Sequence, residues 1–437
     1  MSIPTLQGLQ TALSGLLAEQ QALDITGNNI ANSNTEGYTR ESVVMQPSPP
    51  IVIPALSTKT GEGAQLGTGV SVATYTRIRN SYLDAQYRTQ NSALSASSTQ
   101  AEELAQAQSA FNEPSSTGIA SQMSAFWTAW SSLANSPTSE AAKQGVVSAA
   151  QQLTTSINEL SGQLTTISGQ VGEQVSALTG PSGEVQNYAS QIAQLNGQIK
   201  LAEQAGQQPN SMLDQRDLLL DKLSSLAKVT VSQQPDGTDT VSFGDASKPL
   251  VEGTSVNWPQ TITAAAGGQL GALLGLTSPT GALTALGSSL DSVANTLAAS
   301  VNALHNSTPI FSGTTAATLK VAVTAAQVKA SASEAAGGNA VALAIANLRG
   351  GAAEQGYAAL VQQVGASVRT AHDEEATGKT TLTTIGNQRQ SVSGVSLDEE
   401  MTNLISFQRG YQASARTLTA MDSMLETLIE HTGQVGL

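Results

Sequence analysis

Apolar residues recur three or four positions apart at the amino end of the chain. The series is Leu6, Leu9, Leu13, Leu16, Leu23 and Ile30, with Gln20 and Gly27 as polar or small breaks. This is the heptad pattern of a helix that packs along one narrow seam against another helix. Turn-forming residues fill positions 32–37, so the pattern predicts that the first helix ends there.

The carboxyl end repeats the same spacing. Its series is Leu397, Met401, Leu404, Gln408, Tyr411, Ala415, Leu418, Met421, Leu425 and Leu428. Ser396, with Glu399 three residues later, fits a capping box and predicts that the last helix begins at Leu397. The chain is therefore expected to begin and end in heptad helices.

Two such narrow seams can be buried only against other helices. One possibility pairs them inside the core of a single subunit, which is the more common arrangement. The polar breaks at Gln20 and Gln408 and the proline-rich arm after the first helix favour interfaces between subunits instead. The predicted assembly interface comprises Leu6, Leu9, Leu13, Leu16, Leu23, Ile30, Leu404, Tyr411, Leu418, Leu425 and Leu428.

The region between the terminal helices contains both an arm and long helices. Proline and glycine recur in residues 43–78, which excludes a regular helix and predicts an extended, irregular arm that leads away from the helical bundle. Helical spacing runs from Val146 to Leu178 and again from Val185 to Ile199. Because Pro181 and Gly183 separate the two stretches, we expect long helices that return against one another as a hairpin.

The pattern changes to period two after residue 228. Alternating apolar residues flank a turn signal: Val229, Val231, Pro235, Asp236, Gly237, Val241 and Phe243. This pattern predicts a β hairpin, with Leu250 and Val251 as a third strand. Helical spacing resumes at Leu283. The expected fold class is mainly α with a small β-rich part.

These shifts in pattern divide the chain into three expected units. A terminal helical assembly unit comprises residues 1–35 and 397–437, a discontinuous helical bundle comprises residues 36–228 and 283–396 with the arm at 43–78, and a small β-rich unit comprises residues 229–282. Long helices dominate the first two units, so an elongated, rod-like molecule is expected.

Composition and charge exclude several classes of function. The chain has 437 residues, a formal net charge of −14 and no cysteine. Such acidity argues against nucleic acid and anionic membranes as partners, since both require a basic patch. The absence of cysteine excludes disulfides and thiolate chemistry. No apolar run approaches the roughly 18 residues of a membrane span, and the amino end has neither the basic start nor the apolar stretch of a signal peptide.

The segment from Ala12 to Arg40 resembles the amino-terminal signature of the flagellar rod, hook and hook-associated proteins. Its motif residues are Asn28, Asn29, Asn32, Asn34, Thr35, Gly37 and Tyr38. Four further segments follow in order: Gly67–Val70, Leu213–Leu220 with Asp214, Gln215, Arg216 and Asp217, Asn302–His305, and Ser393–Glu400. Together they resemble the members at the junction of hook and filament, and the resemblance covers nearly the whole chain.

The resemblance implies an architecture and a role. In the family, both termini pair as coaxial helices that line an inner tube, an inner helical domain surrounds them, and β-rich domains face outward. The implied role is a structural subunit of the junction ring between hook and filament, required for filament assembly. The implied partners are the hook protein, the second junction protein, other copies of the chain, and a cytoplasmic export chaperone on the C-terminal helix, with no nucleic acid and no membrane.

The resemblance also implies a location and one departure. Family members are exported unfolded through the flagellar type III secretion system, which places them outside the cell in the bacterial flagellum. Between Phe311 and Val321 only nine residues stand where larger members insert an outer β domain. We therefore expect that outermost domain to be missing or much reduced.

Candidate catalytic groups are few. The histidines are His305, His372 and His431. His372 precedes Asp373-Glu374-Glu375, but this segment lacks the spacing of a metal site on a helix face, and a solvated charged face explains it more simply. The adjacent carboxylates of Asp398-Glu399-Glu400 point in different directions from a helix and cannot flank one bond. We expect no catalytic activity, no metal and no cofactor.

Two alternative functions stay open at this point. Within the family, the second hook–filament junction protein shares the terminal helices and would differ by binding filament subunits instead of hook. From another class, a secreted binding protein or adhesin with a helical stalk would explain the long helices and the hairpin. It would not explain heptad helices at both ends of the chain.

Overall fold

The computed structural model describes residues 4–53, 64–305, 308–332 and 337–432, without the side chains of residues 4–6, 52, 53, 64, 431 and 432. The molecule is 67% helical with small antiparallel sheets, which confirms the mainly α class. The helices are α1 (Pro4–Ala31), α2 (Ser81–Phe111), α3 (Ile119–Asn135), α4 (Glu140–Thr179), α5 (Glu184–Gln204), α6 (Asn210–Leu226), α7 (Gly268–Thr277), α8 (Ala282–Leu304), α9 (Ala340–Ala346), α10 (Ala352–Ser393) and α11 (Leu397–Thr432). The strands are β1 (Glu41–Pro47), β2 (Ile51–Ile53), β3 (Ala64–Leu66), β4 (Val70–Arg77), β5 (Val229–Gln233), β6 (Asp239–Phe243), β7 (Val251–Glu252), β8 (Ser255–Val256), β9 (Phe311–Ser312) and β10 (Lys320–Val321).

The first and last helices, α1 and α11, pack against each other in the same chain and form what we call the terminal pair. Their register is antiparallel and constant along the pair: Asn29 meets Glu400, Glu19 meets Gly410, Gly15 meets Ser414 and Gly8 meets Met421. α11 begins at Leu397 as predicted, and the backbone N–H of Glu399 donates to the Ser396 hydroxyl.

Small residues of α1 form its face against α11. Ala12, Ala18 and Ala22 are 8%, 3% and 0% exposed, whereas Leu13 and Leu17 on the other side of the helix are 44% and 49% exposed. α11 contributes larger side chains to this contact, and its half-buried stripe is Leu404, Phe407, Tyr411, Ser414, Leu418, Met421 and Leu425. The pair therefore packs large side chains of α11 onto small ones of α1.

The described part of residues 43–78 is extended and non-helical, as predicted, but it forms a paired ribbon of strands and not an irregular arm that leads away from the bundle. β1 and β4 pair in register from Glu41 opposite Arg77 to Pro47 opposite Val70, with one irregularity after Val44, and β2 pairs with β3. This ribbon lies along α1, where the backbone N–H of Val70 donates to the Ser14 hydroxyl. It forms because the residues of the two strands satisfy each other's backbone groups. Pro47 is the last residue of β1, and Pro49 and Pro50 lie in the connection to β2.

The predicted hairpin of two long helices is also wrong. α4 belongs to a hydrophobic cluster with α3, α8 and α10, in which Phe126, Trp127 and Trp130 are buried. α5 belongs to a second cluster with α6 and strands β5–β7. The two helices meet only near the end of α4, because the apolar face of α5 is covered by α6 and the sheet.

The predicted β hairpin is confirmed. β5 and β6 pair with Val231 opposite Val241, and Gly237 in the connecting turn has φ +80. β7 and β8 extend this to a four-stranded sheet. β9 and β10 form a short antiparallel pair, with Phe311 opposite Val321.

One stretch passes a composition test for a membrane span. It runs from Gly268 to Leu304, with a mean hydropathy of 1.2 in its most apolar window. Two separate helices, α7 and α8, make up this stretch, and Leu273, Leu290 and Leu297 in it are fully buried in the protein's hydrophobic core. Core helices of globular proteins pass the same test.

Candidate assembly site and the joint behind it

Asn29 connects the end of α1 to three other parts of the chain. Its side-chain N–H groups donate to the backbone oxygen of Glu41 at 2.9 Å and to the carboxylate of Glu400 at 3.2 Å. Its side-chain oxygen accepts from the Tyr38 hydroxyl at 2.7 Å and from the Glu41 backbone N–H at 3.0 Å. With 1% exposure, Asn29 has every hydrogen-bonding position of its amide satisfied. It fixes α1, the following turn, β1 and α11 together.

The turn after α1 is shaped by the other residues of the first motif. The Asn32 side chain donates to Asn28, and the Thr35 hydroxyl donates to Asn32. Gly37 has φ +80 and lies against the side chain of Leu218 on α6, so a side chain there would be strained and crowded. Asn34 is exposed. Most of the motif therefore serves to turn the chain from α1 onto α6.

Tyr38 lies between acidic groups. Burial raises the pKa of its hydroxyl, and the nearby carboxylates of Glu41, Asp214 and Glu400 raise it further. The hydroxyl is therefore neutral and donates to Asn29 throughout the physiological range. Burial likewise raises the pKa of Glu41.

The rest of the molecule, which we call the body, is connected to the terminal pair twice, after α1 and before α11. These two connections are hydrogen-bonded to each other. The backbone N–H of Arg40 donates to the Ser393 carbonyl at 2.9 Å, and the Arg40 guanidinium pairs with Glu399. The backbone N–H of Thr39 donates to the Asp214 carboxylate at 3.0 Å. The second motif thus holds the first crossing in place.

A network of four arginines and four aspartates lies behind these crossings, and we call it the joint network. Its members are Arg77 at the end of β4, Arg79 in the next turn, Asp84 and Arg88 on α2, Asp214, Asp217 and Asp221 on α6, and Arg389 on α10. Asp217 alone contacts Arg77 at 2.9 Å, Arg88 at 3.1 Å, and Arg79. Arg389 also lies 4.9 Å from the centre of the Tyr87 ring.

The joint network is electrically balanced and mostly shielded from water. Burial by itself would raise the pKa of Asp217, but the guanidinium groups of Arg79, Arg77 and Arg88 outweigh burial and hold that pKa below its ordinary value. Removing one partner from such a group leaves a buried charge uncompensated, which costs about 3–5 kcal/mol. The network therefore ties α2, α6, α10 and the ribbon at one point.

Arg216 faces the opposite side of α6 from Asp214 and Asp217. It donates to the side-chain oxygen of Asn196 and to the Gly237 carbonyl, both at 2.9 Å, and forms an ion pair with Asp239 at 3.0 Å. Burial raises the pKa of Asp239, and Arg216 opposes that shift. Gln215, between the two faces, is exposed. The second motif thus joins α6 to the terminal pair on one side and to the sheet on the other.

Sequence reasoning missed six members of the joint network, namely Arg77, Arg79, Asp84, Arg88, Asp221 and Arg389. One signal was present. The chain has 19 Lys and Arg in total, yet three arginines fall within residues 77–88, and Asp214, Asp217 and Asp221 follow at helical spacing on one face. A cluster of basic residues in one segment and a cluster of acidic residues on one helix face indicate a buried charge network.

The structure divides the predicted interface residues into two groups. Leu404, Tyr411, Leu418 and Leu425 are half-buried on the α1 side of α11. Leu9, Leu16, Leu23 and Ile30 are half-buried, and Leu13 and Leu428 are 44% and 53% exposed. Leu6 lies in α1, and its side chain is outside the described residues, as is that of His431. That these residues contact other subunits stays a prediction.

The two described histidines have different surroundings. His305 is buried at the end of α8, accepts from the Lys329 backbone N–H at 2.9 Å, and has its other ring nitrogen 2.6 Å from the Thr308 carbonyl. Burial lowers its pKa, so the ring is neutral and donates to Thr308. His372 is exposed beside Glu375. Among the described residues, no group of three or more His, Asp or Glu side chains could hold a metal ion.

Comparison with known proteins finds a family match at each end of the chain, in the two helices of the terminal pair. Residues 9–39 match the model of the flagella basal body rod protein, and residues 387–430 match the C-terminal model of the flagellar basal body rod FlgEFG proteins. The two matches cover most of α1 and α11, so the terminal pair is of the kind found in flagellar basal body rod proteins.

The middle of the chain shows which family within this class the protein belongs to. Residues 104–264 match the flagellar hook-associated protein FlgK helical domain. Flagellar hook-associated protein 1 of Bacillus subtilis (strain 168) is 31% identical over 99% of this chain and 99% of its own length. The chain belongs to the flagellar hook-associated protein 1 family, a family of flagellar structural proteins.

Other members are longer. Flagellar hook-associated protein 1 of Escherichia coli (strain K12) is 29% identical over 56% of this chain and 43% of its own length. The solved flagellar hook junction protein FlgK from Burkholderia pseudomallei is 30% identical and covers 52% of this chain and 44% of its own, with a TM-score of 0.44.

Proposed function

We propose that the chain is a structural subunit of the junction between flagellar hook and filament, and that the terminal pair is the part that assembles. One observation carries the proposal. In a member of this family, the two terminal helices pair with each other yet leave large apolar side chains exposed: Leu13, Leu17, Leu397, Met401 and Ile405 are 44–51% exposed. Exposed apolar side chains in one region of a protein mark an interaction surface.

The proposed partners are the hook protein, the second junction protein and other copies of the chain. Export through the flagellar type III secretion system, an extracellular place in the flagellum and a cytoplasmic chaperone on α11 belong to the same proposal. The exposed apolar residues of α11 support the proposal of a chaperone, because before assembly another protein must shield these side chains from water.

The division into units is part of the proposal as well. The two hydrophobic clusters take all their buried members from between Ala101 and Ala371, whereas the terminal pair lies outside that span. This supports residues 1–35 and 397–437 as the assembling unit. The proposed body comprises 36–228 and 283–396, with 229–282 as its β-rich part.

The proposal is tested by adding purified protein to isolated hooks from a strain that lacks this gene. Such a strain should keep its hooks and shed filament subunits, and the added protein should bind the hook ends and restore filament growth. Leu13→Asp should abolish binding, because it places a charge in a dry interface. The melting temperature of the monomer should not change, since Leu13 is exposed there.

The matched control is Leu201→Asp. Leu201 lies on α5 in the body and is 69% exposed, so the same substitution there should leave hook binding normal. Failure of the unaltered protein to bind hooks, or equal loss with both variants, would contradict the proposal.

A further inference from the structure

A cavity of about 580 Å³ opens between the first turns of α3 and α10, and none of its lining residues belongs to the terminal pair. The side chains of Met123 and Tyr357 line it and are 0% and 2% exposed. Two other wall residues, Ala120 on α3 and Ala358 on α10, are alanines, and larger side chains there would fill the space. Cavities of roughly 300–1,000 Å³ with mostly apolar walls and a few polar groups are the usual form of small-molecule sites.

Three charged side chains border this cavity. Glu113 comes from the loop before α3, Arg349 from the turn before α10, and Glu354 from the first turn of α10. The carboxylate of Glu354 accepts from the backbone N–H of Gly350, which fixes it next to the turn that carries Arg349. Among the described residues no carboxylate pairs with Arg349. Opposite charges therefore stand around one apolar cavity without neutralising each other directly.

Glu113 is held in one orientation by two hydrogen bonds to the same oxygen. Its Oε1 accepts from the backbone N–H of Ala120 at 2.9 Å, at the start of α3, and from the Tyr357 hydroxyl at 3.2 Å. Burial raises the pKa of that hydroxyl, and Glu113 raises it further, so the hydroxyl stays protonated and donates. Oε2 of Glu113 accepts no hydrogen bond from the part of the chain that the structure describes, which leaves this oxygen for a donor on a ligand.

Arg349 is positioned one helical turn away from Glu113. One nitrogen of its guanidinium donates to the Ser124 hydroxyl at 3.0 Å, and its other side-chain N–H groups have no acceptor within the described residues. Ser124 lies four residues after Ala120 on α3, a rise of about 6 Å. The guanidinium and the Glu113 carboxylate are thus bound to points about 6 Å apart along one helix, with the apolar wall between them.

We propose that this cavity binds an α-amino acid with a large apolar side chain. The ammonium group of the ligand pairs with Glu113 and Glu354, and its carboxylate pairs with Arg349. Because charge-assisted hydrogen bonds are about 2.8 Å long, the adjacent ammonium and carboxylate of one molecule reach both kinds of charged group at once. The side chain of the ligand lies on the apolar wall, where an aromatic ring gains from contact with the sulfur of Met123. A simple amine or a simple acid would leave one charged group of the cavity without a partner.

Isothermal titration calorimetry of the full chain tests the site, with phenylalanine as the probe. We expect saturable binding at one site per chain. Phenethylamine lacks the carboxylate and hydrocinnamate lacks the ammonium group, so each should bind about 10-fold or more weakly than phenylalanine. Glycine has both charges but no apolar side chain and should not bind measurably. No saturable binding of phenylalanine, or equal affinity for the three phenyl compounds, would overturn the proposal.

Two matched tryptophan variants test whether the ligand lies in this cavity. Ala358 and Ala359 are neighbours on α10 and both exposed, but only Ala358 lines the cavity. Both variants should therefore fold. Ala358→Trp should abolish phenylalanine binding because the indole fills the cavity, and Ala359→Trp should bind like the unaltered protein. Normal binding by Ala358→Trp, or equal loss in both variants, would overturn the proposal.

Arg349→Gln tests which group of the ligand the guanidinium recognises. This variant should bind phenylalanine about 10-fold or more weakly, yet bind phenethylamine within about twofold of the unaltered protein, because phenethylamine has no carboxylate. Equal weakening of both ligands, or of neither, would overturn the assignment of Arg349. Because the cavity shares no residue with the terminal pair, its failure to bind phenylalanine would leave the proposed function at the hook unaffected.

Discussion

Asn29 illustrates how a single side chain can connect segments that lie far apart in sequence. Four hydrogen bonds from one amide reach β1, Tyr38 and Glu400, and no charged or longer side chain offers two donors and an acceptor in the same space. Its neighbour Asn28 is exposed in the same motif. The two residues therefore provide a matched pair for experiment.

Asn29→Ala should loosen the terminal pair, because it leaves buried polar groups of Tyr38, Glu41 and Glu400 without partners at about 1–3 kcal/mol each. Hydrogen exchange of the α1 amides should be faster in this variant. Asn28→Ala should exchange like the unaltered protein. Equal exchange in both variants would show that Asn29 does not hold the pair.

Asp217 predicts a dependence of stability on pH. The arginines around it lower its pKa in the folded protein relative to the value of 3.8 for the free side chain. Its contribution is therefore complete above pH 3.8 and is lost as the pH falls through the lower folded value. Asp217→Asn should lower the free energy of unfolding at pH 7 by about 3–5 kcal/mol, and the difference from the unaltered protein should shrink as the pH falls below 3.8 and through the lower folded pKa.

Denaturant unfolding at several pH values checks this, with Asp373→Asn on the exposed side of α10 as the control. A difference that stays constant from pH 7 to pH 2 would contradict the role assigned to the charge of Asp217.

His305 and His372 separate a structural histidine from an exposed one. His305→Ala should lower the free energy of unfolding by about 2–4 kcal/mol, because the Lys329 N–H and the Thr308 carbonyl lose their partner in a buried place. His372→Ala should change it by less than about 0.5 kcal/mol. Both folded variants should still bind hooks, and loss of hook binding by a stable His372→Ala protein would argue for a role beyond structure.

At the scale of elements, α1 shows what heptad spacing can and cannot predict. The spacing of Leu9, Leu13 and Leu16 predicted a helix, and α1 is one. It could not predict that Ala12, Ala18 and Ala22 would be the buried face, because close approach of two backbones favours small side chains wherever the partner supplies large ones. Which stripe of a helix is covered depends on the partner, and that information lies hundreds of residues away.

Two glycines of α1 test this close approach. Gly27 has open space around a side chain, whereas a Cβ at Gly8 would lie 2.7 Å from the Met421 side chain. Gly27→Ala should stabilise α1 by about 0.5–1 kcal/mol, the difference in helix propensity. Gly8→Ala should gain less or lose stability, because Met421 must move. Hydrogen exchange of α1 and α11 measures both effects, and an equal gain in both variants would refute the tight contact.

At the scale of the whole molecule, local sequence patterns predicted the fold class better than they predicted which elements contact each other. The β hairpin at residues 229–243 and the start of α11 were predicted correctly because turn and capping signals act over a few residues. The salt bridges of Arg77, Arg88 and Arg389 depend on contacts across 129 to 168 residues. A single sequence gives no distance information of that kind.

The terminal pair should open independently of the body. Its contact on α1 consists of small residues such as Ala12, Ala18 and Ala22, which bury little apolar area, whereas the body has large hydrophobic clusters. In the free monomer, we expect the segments before about Ile30 and after about Leu397 to open transiently, far more often than the body does. Limited chymotrypsin digestion should trim both ends and leave a body with an unchanged melting temperature. Protection of both ends in dilute solution would contradict this.

The position of the terminal pair in the chain also sets an order in time. Asn29 and its partner Glu400 are 371 residues apart. At about 5–20 residues per second, a ribosome needs roughly 20 to 75 s to make the second helix after the first. During that interval α1 has no α11 to pair with, and the body itself is complete only when α10 has been made, immediately before α11. The first helix to be made is thus among the last to gain its partner. Every nascent chain therefore carries α1, with its leucine side chains, without α11 for most of its synthesis.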